Sequence, residues 1–421
     1  MPTTEKKNSY LVPFILVTTL FFLWAFLHNI NPILIPHLKK ACQLTNTQSA
    51  FIDTAVYLGY FTMAIPAGIF MKKYGYKKGI LLGLILYAVG DLLFIPAAGS
   101  LSYALFLTAL FITASGATFL ETVANPYITK LGDPATSEQR LNFAQSFNGV
   151  GSVVAPLIGG SFILTGIEHS ETEIKAMDEA TRQAYFLSEA ATVKIPYLVI
   201  AIIVLIVAAL FFVARIPEIK EGGDDAHDHR FSTRVLRHSH VKWAVIAQLF
   251  YVGAQVCVGS FFVRFAGEMM QMPEKKAAVV WGTIAMVGFM LGRFVGTFLM
   301  RYISAAKLLS LYAIINVLLL LAAMFAKGSV ATYAVVTVPF FMSIMFPTIF
   351  ALGIKDIGEE TKSASSFIVM SIAGGAFFPL LMGLIADKTG TMQPAYIVPL
   401  LCFLVVLYYG WKGHQVKSVQ S

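Results

Sequence analysis

Charge is scarce in this chain: only 13% of its 421 residues are Asp, Glu, Lys or Arg, against roughly a quarter in soluble domains. So few charges cannot cover an ordinary water-exposed surface, which excludes a soluble globular domain. Cysteine is scarcer still. Cys42, Cys257 and Cys402 are odd in number and far apart, which excludes a disulfide framework and a cysteine metal site. Also missing are a Walker loop, an HExxH pair and a G-x-S-x-G elbow. Neither an enzyme nor a cofactor or metal is expected, and any work the protein does must draw on a gradient.

What the sequence has in abundance is apolar residues, 57% of the total, gathered in runs of about twenty such as 195–214. Each run is long enough to cross a hydrocarbon layer roughly 30 Å thick. In lipid the backbone must satisfy its own hydrogen bonds, so such runs are helices. The spacing predicts spans over 10–36, 48–71, 78–98, 101–130, 141–166, 195–214, 241–266, 277–300, 305–326, 330–354, 363–386 and 394–411. The first of these is longer than a signal-peptide core and has no small-residue cleavage site, so it is expected to stay. The fold class expected is all-α integral membrane, with twelve transmembrane helices.

Twelve spans put both termini on one side. That side collects 20 of the 31 Lys and Arg, the other side ten, and Arg293 falls inside a span. This bias places both termini in the cytoplasm and explains the net charge of +8 without a nucleic-acid partner. Residues 215–240, with Gly222, Gly223 and the run DDAHDHR, read as a cytoplasmic linker between a half at 1–214 and a half at 241–421. His227, His229, His238 and His240 are expected to be solvated rather than metal-binding. An internal repeat supports the division: Gly68, Met71 and Tyr74 recur as Gly296, Leu299 and Tyr302, while Pro126 and Pro156 are matched by Pro347 and Pro379. Two related halves around a midplane site suit a carrier better than a channel or a membrane enzyme.

Ionisable groups inside apolar spans are costly and mark function by default, which singles out Asp53, Asp91, Glu121 and Arg293. Glu121, in FLETVANP, has Asn125 one turn on, and a carboxylate shielded from water is suited to carry a proton; an ion pair with Arg140 or Arg293 is the structural alternative. Asp53 lies near the outer end of its span with Tyr57 and Tyr60 following at helical spacing. Asp91 has no polar neighbours in sequence and is expected to pair structurally; Arg293 is expected to snorkel or to pair between helices. Uncharged polar stripes say more about a cargo: Trp24, His28 and Asn31; Asn142, Gln145 and Asn148; Gln248, Tyr251 and Gln255. Amides donate to and accept from hydroxyls, and aromatic faces pack on a pyranose ring, so the stripes suit a sugar. Interhelical hydrogen bonding is the alternative use of the same residues.

Over almost the whole chain, these residues resemble the major facilitator superfamily and, within it, the bacterial L-fucose-proton symporters. The likeness is carried by FFLWAFLHNINPILIPHL, FLETVANP, RLNFAQSFN, AQLFYVGAQ and FPTIFALGIKDIG. The superfamily loop signature G-x-x-x-D-R/K-x-G is degraded to GIFMKKYG after the second span and is also matched by GLIADKTG at 383–390. The resemblance implies two pseudo-symmetric six-helix halves that import L-fucose or a related hexose with protons by alternating access in a bacterial inner membrane. It implies that Glu121 is linked to both substrate and proton, that Asn148 faces the sugar, and that Asn29, Gln145, Gln248 and Gln255 line the site. It also exposes departures. Pro32 stands where the symporters carry a coupling aspartate, and Asp53, where they carry a glutamine, is the candidate replacement. Phe346 stands where the family can have tyrosine. A glucose or galactose carrier, uncoupled or coupled to another ion, and a membrane sugar sensor are the alternatives. Sugar, proton and lipid are the only partners expected, and one chain holding both halves is expected to act as a monomer.

Overall fold

A computed structural model describes residues 10–42, 46–163, 173, 176–191, 193–219 and 232–416. Twelve long helices run through them: α1 (Leu11–Ala41), α2 (Asn46–Tyr74), α3 (Tyr76–Ser100), α4 (Tyr103–Lys130), α5 (Ser137–Ile163), α6 (Lys194–Val213), α7 (Ser239–Met270), α8 (Glu274–Leu299), α9 (Ala305–Phe325), α10 (Gly328–Gly353), α11 (Gly358–Thr389) and α12 (Pro394–Gly413). Ten have the length and apolar content to cross a membrane, and α1 and α5 join them with 31 and 27 residues. Side chains such as Ile195, Phe212, Val213 and Phe325 are more than two-thirds exposed on the outside of the bundle, a surface only lipid would solvate.

Helix ends run beyond the apolar runs because intrahelical hydrogen bonds continue past the hydrocarbon. Thus α1 reaches Ala41 rather than ending near 36, and α5 starts at Ser137 rather than 141. The expected loop 167–194 holds a further short helix, Glu179–Ala191, whose polar and apolar residues segregate by face without forming a long apolar run.

Packing is closest between α3 and α4. A β-carbon on Gly90 would lie 2.8 Å from the Thr113 Cα, and one on Gly116 would lie 2.8 Å from the Tyr87 Cα, so only glycine lets the two backbones approach. The first six helices pair as α1 with α5, α2 with α4, and α3 with α4 and α6; the last six as α7 with α10, α11 and α12, and α9 with α10 and α12. Between the sets, α2 and α4 meet α11, while α8 and α10 meet α5. Shifting every label by six converts one pair of contacts into the other, the two-fold relation expected of the repeat.

One motif falls in a different place from its apparent equivalent. GIFMKKYG ends α2 on the side of the α2–α3 turn, but GLIADKTG ends α11, which runs the opposite way, so its closing Gly390 (φ 73°) lies at the other end of the bundle. The match at 383–390 is a helix-capping turn, not the second copy of the same loop.

Candidate functional site

Two prolines shape the centre. Proline has no amide hydrogen, so it leaves the carbonyl four residues earlier without its helical donor. In α4, Pro126 leaves the Thr122 carbonyl open, and Ser365 Oγ of α11 donates to it at 2.6 Å. In α10, Pro347 leaves the Ser343 carbonyl open, and Arg293 Nε of α8 donates to it at 3.1 Å. The repeated prolines thus create acceptors that neighbouring helices fill, one of them across the two halves.

Further bonds join the halves at the end that carries the α4–α5 and α10–α11 turns. Lys355 Nζ lies 2.8 Å from Glu138 Oε1, Asn142 Nδ2 donates to Thr348 Oγ1 at 3.1 Å, and Gln139 Nε2 donates to the Thr297 carbonyl at 3.2 Å. This end is closed. Above it lies a cavity of about 640 Å³ walled by both halves, with Trp24, Asn29, Tyr60, Tyr87, Thr113, Glu121, Gln145 and Asn148 from the first and Gln255, Trp281, Phe289, Arg293 and Phe346 from the second.

Glu121 is 4% exposed, accepts the Tyr60 hydroxyl at 3.2 Å on Oε1, and has no partner on Oε2. Among the described residues it makes no ion pair. Arg140 instead caps the end of α4 through the Ile128 and Thr129 carbonyls, and Arg293 bonds elsewhere. Arg293 does not snorkel: it is 4% exposed, lies with its guanidinium 4.6 Å from the centre of the Phe289 ring, and crosses to α5, where Nη1 donates to Asn148 Oδ1 at 2.9 Å and to the Gln145 carbonyl. Gln145 Nε2 in turn donates to Asn125 Oδ1 at 2.7 Å, and Asn125 Nδ2 to the Glu121 carbonyl at 2.9 Å. Asn29 Nδ2 ties α1 to α5 through Ser152 Oγ at 3.1 Å. The wall is therefore one connected polar network with a carboxylate oxygen left over, facing an aromatic-lined space.

Of the residues the sequence nominates, Asn29, Glu121, Gln145, Asn148 and Gln255 share this wall. Gln248 does not: it is fully buried below the cavity, with neither amide atom partnered. The side chains of Asp53, His28, Asn31 and Pro32 lie outside the described residues, as do His227 and His229. His238 and His240 differ from the solvated groups expected. His238 Nε2 meets Glu360 at 2.8 Å, and His240 is fully buried with Nε2 on the Lys355 carbonyl at 3.0 Å, because the residues before α7 dock on the α10–α11 turn. Tyr87, Thr113, Trp281 and Phe289 join the wall without a sequence signal; they sit in apolar stretches, and only packing brings them together.

A polar, two-sided cavity closed at one end of paired six-helix sets defines a membrane carrier. Residues 14–377 match the major facilitator superfamily. The chain is 43% identical to the L-fucose-proton symporter of Escherichia coli (strain K12) over 409 residues, 96% of this chain and 93% of the relative. It is 38% identical to a glucose/galactose transporter of Brucella abortus biovar 1 (strain 9-941), over 97% of this chain and 96% of the relative. The crystal structure of the transporter FucP in the outward conformation superposes with a TM-score of 0.90 at 42% identity, covering 97% of this chain and all of that one. The chain belongs to the major facilitator superfamily and, within it, to the fucose-permease family. It is a multi-pass membrane transporter, not an enzyme.

Proposed function

We propose that this protein imports L-fucose or a related hexose together with protons, by alternating access, across a bacterial inner membrane. The observation that carries this is Glu121: a buried carboxylate with one free oxygen, held by Tyr60 within a wall of amides and aromatic rings. Asn29, Gln145, Asn148 and Gln255 bind hydroxyls, and Trp24 and Trp281 pack on the ring. Gln248 belongs to the same set and reaches the sugar when the halves rock the other way. Glu121 carries the proton, with Asp53 as the second carboxylate nominated by the sequence.

The charge bias puts both termini in the cytoplasm. The closed end is then the cytoplasmic one, the state that FucP's outward conformation resembles. The rocking units are residues 1–214 and 241–421, joined by a linker at 215–240, and one chain in lipid supplies both walls of the site, so the working unit is the monomer. The likeness to a glucose/galactose transporter supports a second choice of cargo. Uptake of labelled L-fucose into proteoliposomes, driven by a pH gradient and competed by a panel of hexoses, tests both. Strongest competition by L-fucose is expected; strongest competition by glucose or galactose would transfer the assignment, and no uptake of any hexose would overturn it.

A further inference from the structure

Asp91 is a carboxylate that the network around Glu121 does not use. It lies in mid-α3 and is 1% exposed; Thr113 Oγ1 of α4 donates to its Oδ1 at 3.3 Å, and its Oδ2 has no partner. The structural pairing expected of it is absent: no Lys, Arg or His among the described residues is within ion-pair distance. The ionisable groups that face it are Tyr87 on its own helix and Tyr197 on α6, while α2 and the short helix Glu179–Ala191, which also touch α3, bring no cation to it. One turn further on, Phe94 stacks on Tyr197 at 3.8 Å and meets Phe106 edge to face, closing that side with rings.

The other side is different. Gly90 lets α3 lie directly against Thr113, and both Thr113 and Tyr87 are on the cavity wall, so Asp91 is one hydroxyl removed from the cavity. Thr113, Ala117 and Glu121 are spaced by four along α4 and line the same wall, which sets Asp91 and Glu121 near opposite ends of one stripe roughly 12 Å long at 1.5 Å per residue. A carboxylate with no cation beside it and one oxygen without a partner is costly to keep charged away from water. In a membrane span such a group is a functional candidate by default, and proton relay is one of the uses such carboxylates serve.

We propose that Asp91 is a further proton-binding carboxyl of the transport cycle, exchanging its proton with the cavity through the Thr113 hydroxyl. A hydroxyl donates and accepts at once. As Thr113 passes its hydrogen to Asp91 Oδ1 it takes one from a hydronium ion in the cavity, leaving neutral water, and discharge runs the same steps backwards. Nothing is oxidised, and the net transfer is one proton between hydronium and carboxylate.

This inference rests on the proton-coupled function proposed above, and the test separates the two. In proteoliposomes, protons moved per sugar are measured from external alkalinisation and labelled uptake, alongside sugar counterflow, which needs no net proton movement. The ratio does not depend on how much carrier folds. Asp91→Asn is expected to lower the ratio while counterflow persists. Thr113→Val, which keeps the side-chain shape, is expected to lower it too, and it decides the matter if Asp91→Asn does not fold. A wild-type ratio in the folded variants overturns the role of Asp91 alone. No proton movement in the wild type overturns the role of Asp91 and the proton-coupled function together.

Discussion

Ser365 of α11 donates its hydroxyl hydrogen to the Thr122 carbonyl of α4 at 2.6 Å, using an acceptor that exists because Pro126 cannot bond it within the helix. The bond joins the two halves on the closed side, so a carrier that works by alternating access is expected to break it on opening that side. Ser365→Ala leaves a buried carbonyl unpaired in this state only. A cost of about 1–3 kcal/mol is expected, shifting the population toward the inward-open form. Distances between spin labels on opposite halves at the closed end check this; an unchanged distribution would show that the bond does not govern the equilibrium.

The ion pair between Lys355 and Glu138 acts at the same end but is partly wet, Lys355 being 43% exposed. Its removal is worth less, about 0.2–1 kcal/mol, screened further by salt. Glu138→Gln is therefore expected to weaken apparent affinity for external sugar by no more than about fivefold. Exchanging the two charges by Glu138→Lys with Lys355→Glu should restore most of it in the same uptake assay.

The α3–α4 crossing has no room for a side chain at Gly116, where a β-carbon would press on the Tyr87 backbone. Gly116→Val is expected to destabilise the purified carrier by at least about 1–3 kcal/mol. Thermal unfolding in detergent measures this. Gly282, which has nothing within 4 Å of its β-position, serves as the control: Gly282→Ala should leave the transition in place.

Gln255 lines the cavity and Gln248 is sealed beneath it. Gln255→Ala should weaken sugar binding to the outward-facing carrier by about tenfold, the loss of roughly one to two hydrogen bonds. Gln248→Ala should spare that binding and impair efflux, which starts from the other side. Equal effects of the two on outward-side binding, read by calorimetry, would contradict this division.

Much of this was legible in the sequence because lipid makes strong demands. Runs of about twenty apolar residues located all twelve helices, and the paired prolines marked the matching helices of the two halves before their open carbonyls were seen. Glu121 and Asn148 stood out because polar groups are rare in such spans. Other features depend on partners distant in the chain. Nothing near Asp91 in sequence announces Thr113 or Tyr197, and nothing near Arg293 shows that it crosses to Asn148 instead of snorkelling. His240 reads as part of a solvated linker until its docking on Lys355 is seen. Gln248 and Gln255 share a helix face, and only the tilt of one half on the other decides which meets the cavity. GLIADKTG matches a loop signature that the direction of α11 then assigns to the opposite end.

The central claim is that Glu121 couples sugar to proton. The most direct measurement is external pH on adding L-fucose to lightly buffered proteoliposomes holding wild type or Glu121→Gln. The wild type should alkalinise the medium as sugar enters, while Glu121→Gln, permanently neutral and similar in shape, should exchange sugar across the membrane with a sharply reduced proton movement per sugar. Sugar entry without alkalinisation in the wild type, or undiminished alkalinisation in Glu121→Gln, would contradict it.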